Sequence, residues 1–156
     1  MRRPVPDSLR TAGPWTDGGR YVVEREKIRE FAAAVGADDP AYTDPGAARA
    51  LGYPDVLAPP TFLVAAAARA EDRLLRHRGV LANPSGTLHR AQRFVHHRPV
   101  CAGEELRVRV RLAERSRLGG RDVLVLESEF RAADGSPVST VTSTLLTPED
   151  SPSVPG

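Results

Sequence analysis

From Leu106 to Leu112 the chain alternates strictly, with Leu106, Val108, Val110 and Leu112 separated by Arg107, Arg109 and Arg111. A period of two puts the apolar set on one face of a β-strand and the arginines on the other, so this segment predicts a strand with one buried and one wet face. Val123 to Phe130 and Val138 to Leu146 are two more β-rich runs, set off by turns at Gly119-Gly120 and at Asp134-Gly135-Ser136. With a further strand over roughly Thr87 to His97, the second half of the chain reads as an antiparallel meander.

The first half has a different period. In Glu24 to Val35, Ile28, Phe31, Ala32 and Val35 recur at the i, i+3, i+4, i+7 spacing of one helical face, and Gly36 offers a left-handed C-terminal cap. Asp44-Pro45 is a cap and first-turn pair that opens a short helix through Ala47, Ala48 and Leu51, with Gly52 closing it. Pro60 to Arg78 predicts the longest helix, with Thr61 as N-cap and Gly79 as terminator; its alanines, Ala65 to Ala68, let a curved sheet approach closely. Helices first and an antiparallel sheet after is the α+β class. The expected division is an irregular arm over 1–19, one domain over 20–147 and a frayed tail over 148–156. Trp15 is the residue expected to pin the arm.

Composition narrows the function classes. A chain of 156 residues supports one core that buries roughly 70% of the unfolded surface. A net charge of +2, with arginines interspersed among acids, does not predict nucleic-acid binding. Cys101 is the sole cysteine, so no internal disulfide forms, and the charged N-terminus is followed by no apolar run. A cytoplasmic protein without membrane insertion is the expectation. His89, His96, His97 and Cys101 match no zinc spacing, and no metal site is predicted. On an unbroken strand His89 and His97 share a face and His96 points oppositely.

Gly36-Ala37-Asp38-Asp39-Pro40-Ala41-Tyr42-Thr43-Asp44 resembles the hydratase motif G-D-x-N-P-(apolar)-H-x-D, with Gly36, Pro40 and Asp44 holding the register. Ala48 to Tyr53 followed by Leu57-Ala58-Pro59-Pro60-Thr61-Phe62 resembles the A-x-x-x-G…APPTF stretch of the MaoC-like N-terminal dehydratase family. His89-Arg90-Ala91-Gln92-Arg93-Phe94 and His97-Arg98-Pro99 resemble its H-x-x-Q-x-F…HRP strand and turn. The similarity runs from about Tyr21 to Thr147.

The resemblance implies a hotdog fold, a long central helix wrapped by an antiparallel sheet, paired with a second hotdog into one continuous sheet. Such domains bind acyl chains carried as thioesters on the phosphopantetheine of acyl carrier protein or coenzyme A, with no other cofactor. In complete relatives the motif His removes a proton α to the thioester carbonyl and the Asp assists loss of the β-hydroxyl. Here those positions are Ala37 and Tyr42. Alanine exchanges no proton, and a phenol is a poor base at neutral pH. The resemblance therefore implies a non-catalytic subunit of a 3-hydroxyacyl-thioester dehydratase, of fatty-acid or polyketide type, working with a catalytic MaoC-like partner. Its implied substrate contacts are Tyr42, Ala58, Pro59, Pro60, Thr61, Phe62 and His89, with Tyr42 either bonding the thioester or pantetheine arm or plugging the site.

Two other readings remain open. One is a self-sufficient dehydratase or thioesterase using Asp38, Asp39, Glu71 or His89. The other is a non-enzymatic acyl-thioester-binding homodimer. For Asp38 and Asp39 the plainer reading is a turn or cap, and for Arg107, Arg109 and Arg111 it is a wet face paired with Glu127 and Glu129.

Overall fold

A computed structural model describes residues 12–81 and 85–148. The first eleven residues of the expected arm, and the expected tail beyond Pro148, lie outside the described residues.

The elements run β1 (Thr16–Val22), α1 (Arg25–Val35), a single 3₁₀ turn (Pro40–Tyr42), α2 (Pro45–Ala50), α3 (Val64–His77), β2 (Leu88–His96), β3 (Glu105–Leu118), β4 (Arg121–Arg131) and β5 (Pro137–Leu146). The strands form one antiparallel sheet in the order β1-β3-β4-β5-β2. This is the α+β arrangement expected, with the long helix α3 lying on the concave side of the sheet.

The alternation in β3 sorts as its period requires. Leu106, Val108 and Val110 are buried, while Arg109 and Arg111 lie on the other face and bond Glu129 and Glu127 directly across on β4, at 2.7 and 2.6 Å. The plainer reading of that stripe therefore holds for these two arginines. Trp15 stacks on both guanidinium groups, at 4.7 and 4.5 Å, and so anchors the segment ahead of β1 to the outer face.

Four expectations need correction. The arm is not irregular through Gly19, because β1 begins at Thr16 and pairs with β3. Gly18 and Gly19 hid that strand: a Cβ on Gly18 would sit 3.0 Å from Val108 Cγ1 and 3.2 Å from Ala70 Cβ, so the glycine is what lets β1 slip beneath α3. Helix α3 starts at Val64 rather than Pro60, with Leu63 at the N-cap and no side-chain cap bond. The amides of Phe62 and Val64 bond Pro59 O and Thr61 O, so the chain makes a tight turn there before the helix begins. The short helix expected to run through Leu51 ends at Ala50, with Leu51 as its C-cap and 63% exposed.

The fourth correction concerns β2. A bulge at Arg90 shifts the register between His89 and Ala91, so His89 faces Leu145 while Gln92, Phe94 and His96 face Ser143, Val141 and Ser139. The partners on β5 are all buried, which puts His89 and His96 on the same, concave face.

Helix α3 buries Ala66, Ala67, Ala70, Glu71, Leu74 and Leu75. It packs over β1, β3 and β4, so the sheet runs on past the helix toward β2. Along β2 only Gln92 and Phe94 are partly covered; its other residues are exposed.

Candidate functional site

Two loops meet beside the start of α3. Leu57 N bonds Ala41 O, Ala58 N bonds Val100 O and Ala102 N bonds Val56 O, all within 2.8–2.9 Å, so the segment before the helix is stitched both to the 3₁₀ turn and to the turn after β2. Side chains lock the frame. Asp39 caps the 3₁₀ turn through Ala41 N at 2.9 Å, and Asp44 caps α2 through Gly46 N at 2.8 Å. Arg25 forks onto Asp55 at 2.8 and 2.7 Å; this bond, with a further one from Val56 N, holds the Asp55 carboxyl down to about 2. Arg98 grips Glu104, whose Oε1 also accepts from Cys101 N at 2.8 Å.

Between these loops and β2 lies a cavity of about 390 Å³. Tyr42, Ala58, Pro59, Pro60 and Phe62 line it, five of the seven expected contacts. Thr61 is exposed and His89 lies elsewhere, so neither is among its lining residues. The reason in both cases is local: the turn at Pro59–Phe62 points Thr61 outward, and His89 sits at the opposite end of β2. Phe62 is 3% exposed and is held between the rings of Tyr21 and Phe31, with centroids at 6.1 and 5.6 Å.

Ala37 is half-buried, does not line the cavity, and donates its amide to Ala32 O as part of the α1 cap. Asp38 and Asp39 are also absent from the cavity wall, in agreement with the turn-and-cap reading.

Sequence reasoning missed the opposite wall, formed by His96, His97, Arg98, Pro99 and Val100. His96 stacks on Phe94, with ring centroids 5.8 Å apart, and its Nδ1 lies 3.0 Å from Ser139 Oγ. The available signal was the HRP segment, assigned to a turn without a role. Imidazoles therefore face the cavity, but no carboxylate lines it among the described residues.

The one buried carboxyl on α3 serves a different place. Glu71 is 2% exposed; its Oε1 accepts from Ser143 Oγ at 2.8 Å and Ser128 Oγ at 3.3 Å, and Gln92 Nε2 donates to Ser143 Oγ at 2.9 Å. Burial pushes the Glu71 carboxyl up to about 7 against the opposing pull of the two hydroxyls. Glu71 and His89 share the wall of a second cavity of about 200 Å³ with Thr87, whose buried Oγ1 has no hydrogen-bond partner among the described residues.

Comparison with known proteins agrees with this architecture. A family profile for the FAS1-like dehydratase domain region matches residues 10–141. Curated relatives described as UPF0336 proteins include one from Saccharopolyspora erythraea, 43% identical over 126 residues that span 81% of each chain. Another, from Streptomyces avermitilis, is 42% identical over 81% of this chain and 84% of its own. Among solved structures, a chain of the HadBC (3R-hydroxyacyl-ACP dehydratase) complex of Mycobacterium tuberculosis superposes with a TM-score of 0.77 at 33% identity, covering 88% of this chain and 99% of that one. A MaoC-like dehydratase gives the same TM-score at 31% identity, over 91% of this chain and 43% of that one. The R-hydratase PhaJ1 of Pseudomonas aeruginosa, at 19% identity and a TM-score of 0.66, shares the fold. The hotdog arrangement is thus established, and this chain belongs to the FAS1-like dehydratase domain region family.

Proposed function

We propose that this chain is an acyl-thioester-binding hotdog subunit of a 3-hydroxyacyl-thioester dehydratase, and that a second, catalytically complete hotdog supplies the proton-transfer groups. The observation that carries this reading is the cavity beside α3: the Pro-Pro turn, the tyrosine and the paired loops frame a largely apolar space, yet no carboxylate lines it among the described residues. Dehydration needs a base for the α-proton and an acid for the departing hydroxyl. His96 offers at most the first of these, and the acid position of the motif, Ala37, is tied into the cap of α1.

The acyl chain would lie against Phe62, Leu63 and Val100, with the thioester near Tyr42 and the Pro59–Pro60 turn. The bare concave face of β2 leaves one side for a partner to close. The similarity to a chain from a heteromeric hydroxyacyl-ACP dehydratase complex supports this assignment.

The test is direct. Purified alone, the chain should bind 3-hydroxyoctanoyl-coenzyme A but dehydrate it no faster than buffer does. Leu57→Trp, which fills the cavity from its half-buried wall, should weaken binding at least about tenfold without lowering the melting temperature. Turnover by the isolated chain, or unaltered binding in the Trp variant, would defeat the proposal.

A second reading has one observation in its favour. Glu71 and His89 line one cavity, and a carboxyl pushed up to about 7 together with an imidazole on the same wall offers the groups of an acid–base pair. Turnover by the chain alone that is lost in both Glu71→Gln and His89→Ala would establish it.

A further inference from the structure

His96 is held from two sides. Its ring stacks on Phe94 with the planes 18° apart, and its Nδ1 is 3.0 Å from Ser139 Oγ, directly across on β5. Ser139 is 1% exposed, so water does not compete for its hydroxyl. A serine has a single proton to donate, and this one goes to Val95 O at 3.3 Å. The contact with His96 therefore uses a lone pair of Oγ, and the imidazole is the donor. That puts the ring proton on Nδ1 and leaves Nε2 of the neutral ring bare.

The bare nitrogen belongs to the cavity wall. His96 lines the cavity, and its side chain makes no other hydrogen bond among the described residues. The other polar side chains of that wall are Tyr42, His97 and Arg98. Arg98 only donates, and it already holds Glu104 and Pro99 O. Neither the Tyr42 hydroxyl nor the His97 ring is fixed by a hydrogen bond among the described residues. His96 is thus the side-chain acceptor whose direction is set in advance, and a pre-set group loses little freedom when a ligand engages it.

Saturated and enoyl chains have no proton to offer such an acceptor. A 3-hydroxyacyl chain has one, on its hydroxyl, while the amides of the pantetheine arm are common to all three. We propose that His96 recognises the 3-hydroxyl group of an acyl thioester through its unprotonated Nε2, and that Ser139 is the positioning residue that fixes this tautomer. The proposal rests on the reading of the cavity as an acyl-thioester site and adds which substituent of the chain it selects.

Calorimetric titration of the full chain with 3-hydroxyoctanoyl- and octanoyl-coenzyme A, at about pH 8 where free imidazole is neutral, reads the preference. Wild type should bind the hydroxylated thioester at least about fivefold more tightly. His96→Phe keeps the stack on Phe94 and removes the acceptor; Ser139→Ala lets the ring move its proton to Nε2. Each should bring the two affinities within about twofold of one another while leaving that for octanoyl-coenzyme A unchanged. In the His96→Phe background Ser139→Ala should change the preference no further, because the serine acts through the imidazole. Nitrogen NMR of histidine-labelled protein should show Nδ1 protonated in wild type and the proton shifted toward Nε2 in Ser139→Ala. His96 is exposed, so its variant decides the recognition even if the buried Ser139→Ala fails to fold. Equal affinities in wild type, a preference that survives either substitution, or a wild-type ring protonated on Nε2 would overturn the proposal and leave the acyl-binding assignment standing. No binding of either thioester would overturn both.

Discussion

Glu71→Gln should make the protein more stable at pH 8 and leave it nearly unchanged at pH 5. The carboxyl is raised from 4.5 to about 7 because burial between α3 and the sheet penalises its charge more than the Ser143 and Ser128 hydroxyls relieve it. The sign follows from which state holds the proton. Between pH 4.5 and 7 the folded chain keeps the proton that the unfolded chain releases, so stability falls as the pH rises through that window. The full penalty at pH 8 is about 3 kcal/mol, because each tenfold change in proton affinity between the folded and unfolded chain is worth about 1.4 kcal/mol. A glutamine keeps an acceptor for both hydroxyls and never ionises. Its expected gain at pH 8 is on the order of 10 °C in melting temperature for a chain of this size. Thermal melts of both proteins from pH 5 to 8 decide the matter: parallel curves would mean that the buried carboxylate ionises without cost.

Phe62→Ala should be the most damaging single substitution at the cavity. The ring is 3% exposed and packs against Tyr21 and Phe31 while forming part of the cavity wall. Truncating a buried phenylalanine typically costs about 3–5 kcal/mol, a large share of the roughly 5–15 kcal/mol that holds a domain together. The denaturation midpoint should fall accordingly. Thioester binding, measured where the variant remains folded, should weaken as well, whereas Phe62→Leu should recover most of both. A variant with full stability and full binding would remove Phe62 from the site.

How much of this was legible in advance depended on whether a feature was local. The alternation of Leu106, Val108 and Val110 and the spacing of Ile28 and Ala32 reported their burial because each residue's environment there follows from its own element's period. Strand β1 was hidden because Gly18 and Gly19 read as loop, although contact with Ala70 and Val108 is what demands a glycine at Gly18. Thr61 carries the local signature of an N-cap, but Pro59 and Pro60 drive a turn that delays the helix to Val64.

The site divided along the same line. Tyr42, Ala58, Pro59, Pro60 and Phe62, which line the cavity, were named through motif resemblance, whereas Thr61 of the same segment is not in its wall. His96 and His97 were not named as contacts, since only the pairing of β2 with β5 and the turn that follows bring them opposite Pro59. Glu71 was named as a candidate acid in the sequence, but its depth could not be read from a helix half that is rich in charge. The opposing serines on β4 and β5 hold it, and they lie 57 and 72 residues away.

The bulge at Arg90 gives β2 one residue of slack. Were Arg90 deleted, His89 could still meet Leu145 and Ala91 still meet Thr144, and the wall carrying Phe94 and His96 would not turn over. The strand can therefore change in length at this one point during evolution while the chamber behind it keeps its shape.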